Sequence, residues 1–381
     1  MKLVSLLILL GTAVCTGPWQ DGFVLWGSVP GALDSTVVKL TSTVDENEQV
    51  SGYIVGEKFE LCGKCPVPTC YKLNMDDGDI AKKKGKKFHC QEICFFLENG
   101  ELEFSTPHID SLPMPPIFVG FDERKEKNYT VTGSPLQDRF YRFQARTAPL
   151  KYTMHRCAEK FRFNQDIEVA RELQKAKEEV ARIAWETAEQ ERDMYLRLYL
   201  TEYLKRDKFM YDQAYLDRMA RLFEGNQEEY APLAEFWSYL ERAKAFVRNT
   251  PLLVTDLETP DGNRVSLQAH LNKEGYTLLD FWASWCGPCR ASFPHLKKIH
   301  ERSQGKLKII GISRDREKKA WLQALEEENL PWTQLYSTQE LASSLDITFI
   351  PSYFLVDAEG KVVFFGGPRG ELDLKLEELG L

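Results

Sequence analysis

The 381-residue chain is predicted to be a multidomain α+β protein, with an N-terminal antiparallel β domain, a helical connector and a C-terminal α/β/α domain. Three observations carry this prediction. Short β-branched and aromatic runs, punctuated by Gly, Pro and Asp, fill the first part of the chain. Residues 151–224 hold neither Gly nor Pro and repeat apolar residues at helical spacing. Beyond Thr250-Pro251, strand-like and helix-like segments alternate, the pattern of a central sheet covered on both faces. The length also exceeds one core of ordinary size, which calls for more than one domain.

At the N-terminus, Met1-Lys2 precedes an apolar run from Leu3 to Leu10 and a small-residue stretch from Gly11 to Gly17. Residues 1–17 therefore read as a secretory signal peptide, too short in its apolar core to span a bilayer. Cys15 is a candidate lipid anchor, since bacterial lipoproteins are cut just before a cysteine; ordinary cleavage after Cys15 or nearby is the alternative. Thr12 and Val14 stand where such sites usually carry a branched apolar and a small residue.

Export changes how cysteines are read, because an oxidising compartment favours paired thiols. Cys62, Cys65, Cys70, Cys90, Cys94 and Cys157 are accordingly expected to be structural disulfides, with no pairing fixed by the sequence. The spacing of Cys62, Cys65, Cys70, Cys90 and Cys94 is also compatible with a zinc site, and free or redox-active thiols are the remaining alternative.

Residues 18–150 are expected to form the β domain, with Val37 to Leu40, Tyr53 to Val55, Phe95 to Leu97 and Ile117 to Val119 as strand segments. The basic run from Lys82 to Lys87 lies beyond turn-forming Asp77, Gly78 and Asp79 and reads as a solvated loop. Residues 151–249 are the helical connector. Leu173, Ala176, Val180 and Ile183 mark one apolar face, and a second helix covers Tyr230 to Val247 after the break at Gly225-Asn226. No metal-ligand or nucleophile spacing occurs there, so its expected role is structural. In residues 250–381, strands are expected at Tyr276 to Ala283, Leu307 to Ile312, Ser352 to Val356 and Lys361 to Phe365. Helices are expected at Pro288 to Arg302, Glu317 to Glu327, Thr338 to Ser344 and Leu372 to Leu379.

The balance of 49 Lys+Arg against 57 Asp+Glu, a formal charge of -8, offers no global basic field for a phosphate backbone, and no nucleic-acid partner is expected. The six histidines show no metal-ligand spacing and no Gly-rich phosphate loop is present, so neither metal nor cofactor is expected. Asn128-Tyr129-Thr130 is a glycosylation sequon.

The chemistry resides in Cys286-Gly287-Pro288-Cys289, placed where the buried run Leu278-Leu279-Asp280-Phe281-Trp282 gives way to a helix. At a helix N-terminus, unpaired N–H groups and the helix dipole stabilise a thiolate, which makes Cys286 the attacking sulfur. Cys289, one turn along, would resolve the mixed disulfide. The motif and its flanks, together with Ile350-Pro351-Ser352-Tyr353 at the entrance to a later strand, resemble the thioredoxin superfamily. The lead-in Asp256-Leu257-Glu258-Thr259-Pro260-Asp261-Gly262 and the helix after Asp315 resemble its exported TlpA/ResA-type members, over roughly residues 250–381.

The resemblance implies further roles. Asp280 occupies the position of the family's buried carboxylate, where desolvation would raise its pKa and let it exchange a proton with Cys289. Pro351 matches the family's cis-proline, beside which the backbone of Ile350 pairs with an extended substrate. Trp285, Gly287 and Pro288 would frame the substrate groove, while Trp282 is a packing residue. Ser352 departs from the Thr that relatives often carry. Gly287-Pro288 is the pair found between the cysteines of thioredoxin, a reducing dithiol at about -270 mV, which favours a reductase. The implied partners are disulfide-containing client proteins and a membrane-embedded thiol reductant, in the periplasm or envelope of a Gram-negative bacterium. Leu97 to Phe104 and Val131 to Leu136 resemble an uncharacterised N-terminal domain that precedes thioredoxin modules in many Bacteroidetes proteins, from which the cysteine cluster departs.

Three rival readings make different demands on the sequence. A peroxiredoxin would need Pro and Thr or Ser where Leu279 and Ala283 stand. A disulfide oxidase or isomerase shares the fold and differs only in potential. A partner-binding protein using the module as a scaffold would have no need of both Cys286 and Cys289.

Overall fold

The computed structural model describes residues 22–113, 128–164, 166–206, 210–226, 230–252, 257–303, 305–337, 345, 347–368 and 370–381. The expected signal peptide with Cys15, the strand at Ile117 to Val119 and the helix at Thr338 to Ser344 lie outside them. The chain divides into two compact units: one formed by residues up to Tyr152 with Glu179–Tyr203, the other by Thr153–Glu178 with Leu204–Leu381. The helical residues expected at 151–249 are divided between these units.

The first unit begins with β1 (Phe23–Ser28), β2 (Val37–Ser42), β3 (Gln49–Tyr53), β4 (Lys58–Gly63) and β5 (Thr69–Asp76), then a short helix α1 (Gly78–Lys83), β6 (Cys90–Leu97), β7 (Gly100–Ser105) and β8 (Thr130–Thr132). The strands form two four-stranded sheets, ordered β4-β1-β7-β8 and β3-β2-β5-β6. Alternation along each strand aims Leu25, Leu61 and Phe104 of one sheet and Leu40, Leu73 and Phe95 of the other into a shared core. The domain is not purely antiparallel as expected: β1 and β7 run parallel, Phe23 opposite Gly100 through Ser28 opposite Ser105. The reason is topological, since only hairpin-joined strands must be antiparallel, and β7 reaches β1 after an excursion through the second sheet. The basic run also differs from expectation, because α1 takes in Lys82 and Lys83; the lysines from Lys82 to Lys87 are nonetheless exposed.

Helix α2 (Pro135–Asn164) starts 16 residues ahead of the expected boundary at Lys151. Ser134 caps it, its hydroxyl accepting from the Gln137 N–H at 3.0 Å and donating to Glu98. Pro135 supplies a first helical residue that has no N–H to leave unpaired. Gln137 then ties the helix to the sheet, its side-chain carbonyl accepting from the Phe96 N–H at 2.7 Å. Helices α3 (Ile167–Gln190) and α4 (Met194–Thr201) follow. Asp193 caps α4 by accepting from the N–H groups of Tyr195 and Leu196, and Tyr199 packs edge-on against Phe96 and Phe140.

Of the cysteines expected in disulfides, Cys62 is disulfide-bonded, while others of the set are not. Cys65, Cys70, Cys90 and Cys157 are thiols, and the neighbouring Cys94 thiol, and then burial, raise the pKa of Cys70. Strand geometry separates most of them: Cys65 donates to the carbonyls of Val67 and Leu97, Cys90 stands opposite Asp76, and Cys157 lies beside Glu172 and Arg156. Cys62 is on β4, opposite Val24. Among the described residues no group of three His, Cys, Asp or Glu side chains converges as a metal site would require.

The second unit contains α5 (Gln213–Arg221), α6 (Ala231–Lys244), β9 (Leu257–Glu258), β10 (Arg264–Val265), β11 (Tyr276–Trp282), α7 (Gly287–Arg302), β12 (Leu307–Ser313), α8 (Lys318–Glu328), β13 (Thr333–Ser337), β14 (Ser352–Val356), β15 (Val362–Gly366) and α9 (Glu371–Glu378). Its sheet has the order β10-β9-β13-β12-β11-β14-β15, with β11 parallel to β12 and antiparallel to β14. Leu279, Phe281, Ile310 and Phe354 face one apolar cluster, and Leu278, Trp282, Ile309 and Leu355 face the other with Phe293, Leu296 and Ile299 of α7. Burial on both faces is why these strands read as continuous apolar runs.

Candidate active site

The site is built where β11 ends. Cys286 caps α7: its Sγ accepts from the Cys289 N–H at 3.2 Å and its carbonyl from the Arg290 N–H at 3.1 Å. Pro288 in the first turn has no N–H to leave unsatisfied. Cys286 and Cys289 are joined by a disulfide and are almost wholly buried, at 4% and 0% exposure. Around them the surface is open, with Trp285 69% exposed and Gly287 and Pro288 also exposed. On opening, the Cys286 sulfur would lie at a helix N-terminus, where a thiolate is favoured.

Asp280 shares a face of β11 with its i±2 neighbours Leu278 and Trp282, and these belong to the apolar cluster that contains Cys286 and Cys289. Its side chain is fully buried, and neither carboxylate oxygen has a hydrogen-bond partner among the described residues. Burial alone pushes its pKa from 3.8 up to about 8. Directly opposite on β14 is Tyr353, whose hydroxyl is driven upward by burial and then by the Asp280 charge. On the other side stands Gly311, and beyond it Gln334. A Cβ at Gly311 would come within 2.2 Å of the Gln334 side-chain oxygen, the atom that accepts from the Trp282 indole N–H at 3.2 Å. Glycine at this point lets the amide lie across the strand and fix Trp282, which also stacks edge-on with Phe293 at 5.2 Å.

The Ile350–Pro351 bond is cis. Because Ser352 pairs with Phe281, Pro351 lies at the end of the sheet from which β11 leads to Cys286. Ile350 packs against the cluster that holds both cysteines. The Ser352 hydroxyl donates to the Phe349 carbonyl at 2.7 Å, closing the turn, and the Phe349 ring is exposed. The structure thus brings Cys286, Cys289 and Asp280 to one face of the sheet, with Trp285, Gly287 and Pro288 at the surface and Ile350-Pro351 at the same end. Cys62, Cys65, Cys70, Cys90 and Cys94 belong to the other unit.

Sequence reasoning missed one anchor. Asp315, buried just past β12, accepts from the Ser284 N–H at 2.9 Å, from the Ser284 hydroxyl at 2.6 Å and from the Ser313 hydroxyl at 2.8 Å. It fixes the turn that presents Trp285 and Cys286, and the Tyr336 hydroxyl holds its backbone carbonyl at 2.8 Å. An acidic residue after a strand gives no local signal of a bond to a serine 31 positions away. In its first turn α7 is held to α8 by Arg290, paired with Glu327 and Glu328.

Residues 241–367 match the Redoxin family model, and residues 23–140 match a domain of unknown function, DUF4369. The thiol-disulfide oxidoreductase ResA of Bacillus subtilis is 30% identical over 110 residues, which is 28% of this chain and 60% of that protein. A thiol:disulfide interchange protein DsbE homolog of Paracoccus denitrificans is 32% identical over 95 residues, 24% of this chain and 51% of the relative. The chain therefore spans between half and two thirds of the length of these curated relatives. Among solved structures, the thioredoxin domain of a thiol-disulfide oxidoreductase from Bacteroides vulgatus is 29% identical, with 35% of this chain and 98% of that one covered and a TM-score of 0.32. A thiol:disulfide interchange protein from Bacteroides sp. is 31% identical, with 34% and 88% covered and a TM-score of 0.31. Taken with a Cys-Gly-Pro-Cys pair capping a helix and a cis-proline at the same end of the sheet, the family match and the sequence relatives show that residues 241–367 are a Redoxin domain similar to the TlpA/ResA-type thiol-disulfide oxidoreductases of the thioredoxin superfamily.

Proposed function

We propose that the chain is a thiol-disulfide oxidoreductase that reduces disulfides of other exported proteins through Cys286 and Cys289. The observation that carries this reading is a disulfide at the N-terminus of α7, on the same sheet face as a buried carboxyl group held near pKa 8. In the reduced form, the Cys286 thiolate attacks a client disulfide. A bond forms between Cys286 and one client sulfur, and the other leaves as thiolate. Asp280, when ionised, takes the Cys289 proton; the Cys289 sulfur then attacks Cys286, the internal disulfide re-forms, and the client leaves with both sulfurs reduced. Exposed Trp285 and Phe349 adjoin the Cys286 and Ile350-Pro351 segments in sequence and supply apolar surface for a client, and the backbone at Ile350 pairs with the extended client segment.

Regeneration needs two electrons from a partner dithiol, for which a membrane-embedded thiol reductant is the proposed donor. Location in the periplasm or envelope, with or without a lipid on Cys15, belongs to the same proposal; no helix among the described residues is long and apolar enough to cross a membrane. Cys289→Ala is expected to stop the cycle at the mixed disulfide, so that clients remain bound to Cys286 and are released by dithiothreitol. Non-reducing electrophoresis with mass spectrometry reads this directly, and an absence of captured clients while Cys286 still reacts with an alkylating agent would remove the basis of the proposal.

A further inference from the structure

The N-terminal unit holds a second pair of sulfurs that the mechanism above does not use. In the antiparallel β5/β6 ladder, Cys70 stands opposite Phe96 and Lys72 opposite Cys94. The intervening Tyr71, Leu73, Ile93 and Phe95 point into the core between the sheets, so by alternation Cys70 and Cys94 lie on the reverse face as diagonal neighbours. The neighbouring Cys94 thiol, and then burial, raise the pKa of Cys70. The two differ in access: Cys70 is 2% exposed, whereas Cys94 is partly open to solvent. Phe96 and Tyr199 pack at 5.4 Å on the same face, and the Tyr199 hydroxyl is raised by burial and then by charge on Cys70, which places the pair under α4. Cys65 donates to two carbonyls, and Cys90 lies among Asp76, Asp77 and Glu92.

We propose that Cys70 and Cys94 form a second disulfide-exchange site, at which a small disulfide of the glutathione class oxidises the pair to a β5–β6 cross-link. Solvent-accessible Cys94, as thiolate, attacks the small disulfide and releases one thiol, giving a mixed disulfide. Cys70 then attacks the Cys94 sulfur, the Cys70–Cys94 bond forms, and the second small thiol leaves with the proton that Cys70 gives up. The balance is two protein thiols oxidised and one disulfide reduced to two thiols. Diagonal cross-strand positions have Cα atoms about 7–8 Å apart, just beyond the usual reach of a disulfide, so closure draws β5 and β6 together locally. A bond formed in that way is the reducible kind and suits exchange better than permanent stapling. The inference does not depend on the activity proposed for Cys286 and Cys289.

The test uses the full chain carrying Cys286→Ala and Cys289→Ala, reduced, exposed to glutathione disulfide, then alkylated and mapped by mass spectrometry. The expected product joins the peptides of Cys70 and Cys94, has lost two hydrogens, retains no glutathione, and predominates over every other pairing. A Cys70→Ser variant is expected to keep glutathione on Cys94 instead. If that variant does not fold, the same mapping in denaturant supplies the comparison, where pairing should lose its preference. A lasting glutathione adduct on Cys94 in the presence of Cys70, or full alkylation of both thiols after exposure, would overturn the proposal.

Discussion

Cys286→Ala is expected to abolish disulfide turnover, with a loss of more than about a thousandfold, while the fold survives. The substitution removes the sulfur that caps α7 and leaves Cys289, whose side chain is 0% exposed, as the sole thiol of the motif. A buried thiol one turn into the helix cannot meet an external disulfide, so no alternative route remains at this site. Loss of the cap weakens the start of α7 by about 1 kcal/mol at most, a cost the two apolar clusters around β11 absorb. The check is turnover of a model protein disulfide with dithiothreitol as electron source, beside circular dichroism of the variant. Retention of more than about a tenth of the activity would move the attacking sulfur elsewhere, with Cys94 the first place to look.

Asp280→Asn should have two effects of opposite sign. The resolving step should slow by about 10²–10⁴, because the amide cannot take the Cys289 proton, and the rise of that step with pH, centred near 8, should vanish. Stability should instead increase at alkaline pH. Below pH 3.8 Asp280 is protonated in both folded and unfolded chains and contributes no pH dependence. Between 3.8 and about 8 the unfolded chain releases the proton and the folded one keeps it, so stability falls as pH rises. Above that interval the folded group ionises too and the loss levels off. The full interval corresponds to about 6 kcal/mol, of which asparagine should recover a large part at pH ~9. Thermal unfolding of the oxidised chain at acid and alkaline pH, with stopped-flow kinetics of mixed-disulfide resolution, measures both. A variant that is less stable at alkaline pH and keeps the kinetic inflection would contradict the role given to this carboxyl group.

The sequence discloses the C-terminal unit well because its physics is local. β11, β12 and β14 are apolar runs buried on both faces, and α7 opens with a cysteine cap and a proline, so these elements fall within a residue or two of the expected limits. β13 went unread because Thr333-Gln334-Leu335-Tyr336-Ser337 mixes polar and apolar residues, and Gln334 is there to reach Trp282 over Gly311. The early start of α2 was written in Ser134-Pro135, a cap and first-turn signal inside a segment otherwise read as β structure. The parallel β1/β7 pair, the Asp315–Ser284 contact and the meeting of Cys70 with Cys94 had no local signature, since each depends on which strands become neighbours and in what register. Composition and an exported context argue for pairing cysteines, but register decides which sulfurs can meet.

The central claim is that the Cys286/Cys289 pair is a reductant, and its reduction potential tests this most directly. The full chain would be equilibrated against graded dithiothreitol or glutathione buffers, and the fraction of the Cys286–Cys289 peptide still joined would be read by mass spectrometry after alkylation. A midpoint near the thioredoxin value of about -270 mV is the predicted result. A midpoint near about -120 mV, the strongly oxidising end of the scale, would contradict it and make the chain a donor of disulfides to its clients.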